Sequence, residues 1–268
     1  MAKSRGLGDV YKRQIQELTR EWVLEQDIKN FYDQQGICHV VLPERGHLNP
    51  GMFCVGGDSH SPTGGAFGAY MFGIGATEMA GVLATGEIWI KVPETILIKW
   101  AGQTDAFVTA KDMMLATCAK IGMGGGRYQA IQYAGEAIHK LNMQERMTMS
   151  NMAAELGAQA GLISPDETTI EYLKSANASI LDNWQNYQIE KPDPNGEVIN
   201  LDASSLSPQI AAPHSPENSA DVDDFKNISF DIAYIGACTG AKYNDLMAAA
   251  LILKNRKVSS NVCLKVAP

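Results

Sequence analysis

Short apolar segments rich in β-branched residues recur along the chain and predict β-strands. The segment at residues 94–100 alternates apolar and polar positions, as a strand of a half-buried sheet does. The segment at residues 37–42 is continuously apolar and is followed by Pro43, which is typical of a buried strand. The segments predicted as strands are residues 37–42, 52–55, 94–100, 232–235 and 262–266.

Apolar residues at intervals of three to four positions predict helices between these strands. Gly36 is expected to end the first helix, because glycine adopts the left-handed cap conformation at little cost. Thr109 and Ser150 are expected to cap two later helices with their hydroxyl oxygens. Strands that alternate with helices of these lengths favour the α/β class. The segments predicted as helices are residues 15–35, 110–118, 151–157, 171–174 and 243–254.

Residues 66–85 are rich in glycine and alanine and carry few charges. Each glycine in a helix costs about 1 kcal/mol relative to alanine. Such a segment is expected only where close packing compensates for that cost. We therefore interpret it as a packing element rather than as a phosphate-binding loop.

Composition narrows the classes of protein to consider. The chain has 268 residues, 45% of them hydrophobic, which is enough to bury a sizeable core. Its formal net charge of -8 argues against nucleic acid and against a membrane surface as partners. No apolar run approaches the roughly 18 residues needed to cross a bilayer. The five cysteines are scattered and form no disulfide framework, which indicates the reducing cytoplasm.

The ends of the chain suggest that it is a fragment of a longer protein. Residues 1–14 resemble a translated sequencing adapter, and we expect them to be extraneous. The chain stops just after a predicted strand, where a complete domain rarely ends. We expect the remainder to form an incomplete α/β domain, a second α/β domain, a proline-rich linker or surface connection, and the start of a further α/β domain. These four segments are residues 15–105, 106–190, 191–227 and 228–268.

An acid, a hydroxyl and an imidazole occupy consecutive positions directly after the predicted strand at residues 52–55. They are Asp58, Ser59 and His60, with glycines on both sides. Gly57-Asp58-Ser59 also matches the signature of GDSL-type hydrolases. That family needs an aspartate three residues before a histidine near its C-terminus, and no aspartate in this sequence has one. The hydrolase is therefore kept as the less favoured alternative.

Further groups suited to catalysis lie in other segments. His39 falls in the first predicted strand, and Asn151 and Glu155 lie one turn apart on a predicted helix, so they share a face. Cys238 follows a predicted strand and precedes a helix, whose N-terminal dipole favours a thiolate. Acid, hydroxyl, imidazole and thiolate together are the groups that a cluster-dependent dehydratase needs.

Several motifs in order along residues 15–268 resemble the family of aconitase and the 3-isopropylmalate dehydratase large subunit. They include the residues named above and the small-residue segment that follows them. The principal motifs are Gly36–Val41, Gly57–His60, Phe72–Glu78, Asn151–Ala158 and Ile235–Thr239.

This resemblance implies aconitase-like three-layer α/β/α domains and an iron–sulfur-dependent hydro-lyase. Such an enzyme isomerises a hydroxy di- or tricarboxylic acid by dehydration and rehydration. The resemblance also implies a [4Fe-4S] cluster with three cysteine ligands, and a small domain that is either fused or a separate small subunit. Cys238 would be the first cluster ligand and Asn151 would bind substrate. The catalytic residues implied are His39, Asp58, Ser59, His60 and Glu155. A cluster-free binding or regulatory relative of aconitase is the alternative from another class.

The sequence also departs from the family pattern. The other two cluster cysteines form a C-x-x-C motif that this sequence does not contain. Gly240 stands where the family usually has asparagine after Cys238-Thr239. The resemblance implies that the proton-abstracting serine lies in a later domain, so Ser59 is not that base. We therefore expect this chain alone to hold no intact cluster and to be inactive.

Overall fold

The computed structural model describes residues 7–188, 193, 194 and 196–267, and divides the chain into two units, Met1–Gly36 and Ile37–Pro268. In the first unit, α1 (Leu7–Glu25) is a helix, and Arg20 binds Asp33 at 2.7 Å. The prediction of a helix over residues 15–35 is therefore wrong beyond Glu25. Asp27 adopts a left-handed φ of 51°, which an α-helix does not accommodate.

The second unit alternates strands and helices. The strands are β1 (Phe53–Gly56), β2 (Tyr70–Gly73), β3 (Thr95–Ala101), β4 (Ala130–Ala134), β5 (Ala160–Ile163), β6 (Val198–Asp202), β7 (Gln209–Ala211), β8 (Ser219–Asp221), β9 (Ile232–Ile235) and β10 (Cys263–Val266). The helices are α2 (Cys38–Glu44), α3 (Ala76–Thr85), α4 (Ala110–Ile121), α5 (Glu136–Lys140), α6 (Met143–Asn151), α7 (Glu167–Ser175) and α8 (Tyr243–Leu253).

A four-stranded parallel sheet has the order β5-β4-β3-β6. Helix α4 connects β3 to β4, and α5 and α6 connect β4 to β5, so parallel neighbours are joined by helical crossovers. Two smaller parallel pairs, β1-β2 and β9-β10, and an antiparallel pair, β7-β8, complete the described strands. The prediction of an α/β fold is confirmed.

The main core lies between the sheet and α4. Ile96, Ile98 and Trp100 of β3 pack with Met113 and Met114 of α4, and all five side chains are buried. Thr109 caps α4 as predicted, although the bond runs from its backbone N–H to Asp112 Oδ2 at 2.7 Å. In the part of the chain that the structure describes, no helix is both long and apolar enough to cross a bilayer.

Helix α6 contributes to two cores at once. Met149 packs into the main core, whereas Met143 and Met147 pack into a second core with Phe67 and Leu173. A helix with buried residues on several sides must satisfy its polar groups inside the protein. The polar side chains of α6 are therefore expected to form hydrogen bonds with neighbouring parts of the protein rather than with solvent.

The predicted strand at residues 37–42 is wrong, because Cys38–Glu44 forms α2. The N–H of Val41 donates to Ile37 O at 2.9 Å, and the N–H of Arg45 donates to Val41 O at 3.0 Å, which is the α-helical pattern. A short apolar run does not distinguish a buried strand from a buried helix by periodicity. His39 is therefore carried by a helix.

The predicted helix at residues 151–157 is also wrong. Ser150 does not cap a helix there, because it lies inside α6, which ends at Asn151. Residues 152–157 form turns, so Glu155 lies beyond the helix. The actual cap is Asn142, whose side-chain oxygen accepts a hydrogen bond from the N–H of Glu145 at 3.1 Å.

The sheet crosses the predicted domain segments. β3 belongs to the first predicted domain and β4 to the second, yet they are hydrogen-bonded neighbours. β6 lies within residues 191–227, predicted as a linker or surface connection, and pairs with β3. Ile199 and Leu201 pack against the main core, so this part of the segment is a sheet strand. Residues 1–6 of the predicted extraneous segment, and the predicted boundary at 190, lie outside the described residues.

Close backbone packing in the glycine-rich segment is confirmed before α3. A Cβ on Gly65, in the buried 3₁₀ helix Ser61–Phe67, would lie 1.8 Å from Gly161 O. Helix α3 itself has no buried residue, and a Cβ on Gly81 would meet nothing within 4 Å. The segment is thus a packing element only in part.

These two glycines provide a matched test. Gly65→Ala forces a methyl group against the Gly161 backbone, and we expect it to lower the free energy of unfolding by about 3 kcal/mol. Gly81→Ala is expected to raise that free energy by up to about 1 kcal/mol, because alanine favours the helix. Urea denaturation of the chain measures both. Equal effects of the two variants would contradict the close packing.

Candidate functional site

The loop after β1 is fixed by the backbone and side chain of Asp58. The Oδ1 atom of Asp58 accepts a hydrogen bond from the His60 N–H at 2.8 Å, and its carbonyl accepts from Ser61 Oγ at 2.7 Å. A Cβ on Gly73 would lie 2.6 Å from that carbonyl oxygen, so glycine is needed beneath the loop. The loop therefore presents the His60 ring from a rigid base.

Cys238 lies on the turn between β9 and α8, as the sequence predicts. The residue before it, Ala237, has a φ of 80°, a left-handed conformation that costs a non-glycine residue about 1–3 kcal/mol. Such strain persists only where surrounding contacts hold the backbone. Those contacts come from α6 and from the His60 loop.

A chain of polar contacts joins Cys238 to Glu155. Cys238 Sγ lies 3.7 Å from His60 Nδ1, and His60 Nε2 lies 3.2 Å from Glu155 Oε1. Asn151 Nδ2 lies 3.5 Å from the same sulfur and 2.9 Å from Thr63 Oγ1. One imidazole thus contacts a thiol through one nitrogen and a carboxylate through the other.

His39 completes the cluster from α2. Its side chain is 1% exposed, and its Nδ1 lies 3.5 Å from Asp58 Oδ1. The rings of His39 and His60 have centroids 6.2 Å apart. Six predicted site residues are thereby brought together: His39, Asp58, His60, Asn151, Glu155 and Cys238.

The contacts shift the pKa values of the thiol and of both imidazoles. The neighbouring His39 and His60 side chains lower the pKa of Cys238 to about 6. Contacts with Cys238 and Glu155 raise the pKa of His60 to about 10. Burial acts to lower the pKa of His39, but the neighbouring Cys238 and Cys38 raise it to about 9. The groups therefore stabilise one another as thiolate and imidazolium at neutral pH.

Two polar atoms of the cluster are buried without a hydrogen-bond partner in the described part of the chain: His39 Nε2 and Glu155 Oε2. Buried polar groups in proteins are nearly always paired, so unpaired ones indicate a place for a ligand. Glu155 and His39 can therefore each form one further hydrogen bond, to a ligand or to water.

Ser59 stands apart from the cluster. It lines a cavity of about 370 Å³ with Asp58, Tyr128 and Gln159. No hydrogen bond of its hydroxyl to a histidine is found among the residues that the structure describes. A nucleophilic serine needs such a base, so the geometry does not support the GDSL-type hydrolase.

Sequence reasoning missed Thr63, Thr148 and Lys242. Thr63 Oγ1 donates to the carbonyl of His60 at 2.6 Å and supports Asn151. Thr148 Oγ1 and Lys242 Nζ both bind the carbonyl of Thr239, beside Cys238. Polar residues recur at positions 144, 148 and 151, and this spacing on one helix face was the available signal for Thr148.

Comparison of the sequence with known proteins identifies the family to which the chain belongs. A family model described as the aconitase family (aconitate hydratase) matches residues 8–229. The chain belongs to the aconitase family. The matched residues carry every predicted site residue except Cys238, which follows nine positions after the end of the match.

Curated members of the aconitase family extend the match past Cys238. A protein of Methanopyrus kandleri named 3-isopropylmalate dehydratase large subunit 1 is 43% identical over 256 residues, covering 94% of this chain and 60% of the relative. A 3-isopropylmalate dehydratase large subunit of Moorella thermoacetica is 40% identical, covering 97% and 62%. A probable methanogen homoaconitase large subunit of Methanosarcina mazei is 42% identical, covering 91% and 62%. The chain spans about three fifths of the length of these relatives.

Among the described residues, Cys238 is the cysteine whose surroundings suit a ligand of an iron–sulfur cluster. Such clusters are held by cysteine thiolates, and Cys238 is a thiolate within a polar site. Burial raises the pKa of Cys118 to about 12, and Cys263 is exposed on β10. Cys38 is exposed, with its sulfur 3.7 Å from His39 Nδ1. Within the described ranges, no three His, Cys, Asp or Glu residues are arranged to hold a metal ion. Among the described residues, Cys238 is therefore the one cysteine placed in the polar site where a cluster would bind.

The lowered pKa of Cys238 can be read by alkylation. Because the thiolate is the reactive form, we expect the rate of iodoacetamide labelling of Cys238 to reach half its maximum near pH 6. His60→Asn removes one stabilising contact and should move that midpoint upward by about one pH unit or more. Peptide mass spectrometry follows the label. An unchanged midpoint in His60→Asn would refute the pairing, and the exposed His214→Asn serves as control.

Proposed function

We propose that this chain forms part of an iron–sulfur-dependent hydro-lyase that isomerises a hydroxy di- or tricarboxylic acid by dehydration and rehydration. One observation carries the proposal: Cys238 Sγ, His60 and Glu155 form a connected set, with separations of 3.7 Å and 3.2 Å. Cys238 and Glu155 come from segments far apart in the sequence, and both contact the imidazole of His60 in the loop after β1. Membership of the aconitase family supports the same chemistry.

The acid–base roles follow from the contacts. Dehydration breaks a C–H bond and a C–O bond, so a base takes the carbon-bound proton and an acid protonates the departing hydroxyl group. His60, held by Glu155 at 3.2 Å, is a cation at neutral pH and can donate that proton. His39, held near Asp58, is a second proton donor. On rehydration the same groups accept the proton back.

The remaining predicted residues keep supporting roles in this proposal. Cys238 would hold one corner of a [4Fe-4S] cluster, which when bound supplies a Lewis-acid iron for the substrate oxygens. Asn151 binds substrate or keeps the sulfur in place, because its amide nitrogen is already within 3.5 Å of Cys238 Sγ. Ser59 contacts substrate from the wall of the neighbouring cavity.

The proposed substrate and partner are inferred from the names of the relatives. The relatives are named as large subunits of 3-isopropylmalate dehydratase and of homoaconitase. We propose a hydroxy carboxylic acid of this kind as substrate and a separate small subunit as partner. The cytoplasm is the compartment proposed from the cysteine content.

A chimera tests the proposed function. Residues of this chain replace the matched 256 residues of the Methanopyrus kandleri large subunit, which is co-expressed with a small subunit and reconstituted anaerobically with iron and sulfide. We expect visible absorbance from thiolate-to-iron charge transfer and hydration of isopropylmaleate, homoaconitate or aconitate. Cys238→Ala should abolish the absorbance, whereas the exposed Cys263→Ser should not.

A chimera that assembles but hydrates none of these alkenes would refute the hydro-lyase. A chimera that also binds no cluster would favour the cluster-free binding relative instead.

The acid–base pair is tested in the same chimera. Glu155→Gln keeps the shape but removes the charge that orients His60, and we expect kcat to fall about 100-fold. His60→Asn removes the proton donor and should cost at least as much. Glu167→Gln, at an exposed position in the first turn of α7, should leave kcat unchanged. Steady-state hydration rates give the answer, and a Glu155→Gln enzyme with wild-type kcat would exclude the proposed pair.

A further inference from the structure

Helix α6 contacts the turn that carries Cys238 and the first residues of α8 at three successive levels. Gln144 Oε1 accepts a hydrogen bond from the N–H of Asn244 at 3.0 Å. One turn on, Thr148 Oγ1 lies 2.9 Å from Thr239 O. At the end of the helix, Asn151 Nδ2 lies 3.5 Å from Cys238 Sγ. Positions 144, 148 and 151 lie on one helix face, so a single polar stripe holds the turn.

Lys242, which follows the turn, binds both partners of the Thr148–Thr239 contact. Its side chain is 6% exposed, and its Nζ donates to Thr239 O at 2.6 Å and to Thr148 Oγ1 at 2.8 Å. Asp245 Oδ2 lies 3.5 Å away. An ammonium group has three donors, and each of them has an acceptor here.

Ion pairing alone does not account for the burial of Lys242. Its two shortest contacts go to uncharged oxygens, while the carboxylate of Asp245 is the most distant of the three and is 40% exposed. Burying an ammonium costs free energy unless hydrogen bonds compensate. The hydrogen bonds that compensate are those that hold the carbonyl next to Cys238.

Within the turn, the N–H of Gly240 donates to Ala237 O at 3.3 Å. Gly240 and Ala241, which follow Thr239, carry no polar side chain. Ala237 on the other side of Cys238 has a left-handed φ of 80°. A strained backbone relaxes when the contacts that hold it are removed.

We infer that Lys242 is a positioning residue for Cys238: its ammonium binds Thr239 O and Thr148 Oγ1 and thereby holds the Cys238 sulfur against Asn151 and His60. The inference rests on the proposed function only in treating that sulfur as the working thiolate. No contact of Lys242 with substrate is implied.

The test follows the sulfur directly in this chain, without cluster or substrate. N-ethylmaleimide labelling at pH 9 is quantified for each cysteine by peptide mass spectrometry. This pH lies above the ordinary thiol pKa of about 8.5, so the rate reports chiefly access and nucleophilicity. Nucleophilicity rises when a thiolate loses its stabilising partners. We therefore expect Lys242→Met, which keeps the volume but removes the donors, to raise the Cys238 rate about tenfold.

Companion variants separate positioning from general stability. Thr148→Val removes the other hydrogen bond to Thr239 O and should also raise the Cys238 rate. Lys242→Arg keeps donors within reach of both acceptors and should bring the rate back to within about threefold of the unaltered chain. Lys257→Met, at an exposed position after α8, is the matched control and should have no effect.

Cys118 reports on unfolding, because it is fully buried in the main core. The inference requires Cys238 labelling to accelerate while Cys118 labelling does not. It is overturned if Lys242→Met changes the Cys238 rate less than twofold, if Cys118 accelerates in parallel, or if Lys242→Arg behaves like Lys242→Met. These readouts need no catalysis, so they stand or fall separately from the hydro-lyase.

Discussion

Burial of α6 is the constraint on which the arrangement depends. Methionines of this helix lie in both apolar cores, so the helix cannot shift without opening one of them. Its polar groups must then find partners within the protein. Arg146 is fully buried and forms a bidentate pair with Asp166, with both nitrogen–oxygen distances at 2.7 Å. Gln144, Thr148 and Asn151 contact the Cys238 turn or the start of α8. Glu155 follows just beyond the helix.

The site concentrates charge that the fold must stabilise. A thiol, two imidazoles and two carboxylates lie within a few ångströms. The contacts among them raise the pKa values of His39 and His60 and lower the pKa of Cys238. The left-handed Ala237 and the unpaired His39 Nε2 and Glu155 Oε2 add local cost. Costs of this kind are concentrated at functional sites, where strain and unpaired groups serve binding.

The aconitase family match and the geometry support each other at different levels. The match covers residues 8–229 and places the chain in a family, whereas the geometry shows which side chains work together. The match does not single out Lys242, Thr148 or Thr63. Lys242 and Thr148 bind the Thr239 carbonyl beside Cys238, and Thr63 binds the His60 carbonyl and the Asn151 amide.

Local sequence determined the strands β1, β3 and β9, the α/β class, the capped start of α4 and the motif that carries Asp58 and His60. These features depend on residues that are close together in the sequence, so their periodicity and turn-forming residues can be recognised without the fold. Tertiary structure alone decided that residues 38–44 are a helix, that α6 ends before Glu155 and that β6 joins the sheet. It also decided that residues 39, 60, 151 and 238 meet. Their separations along the chain are long, and burial, which overrides local preference, depends on which surfaces the whole fold brings together.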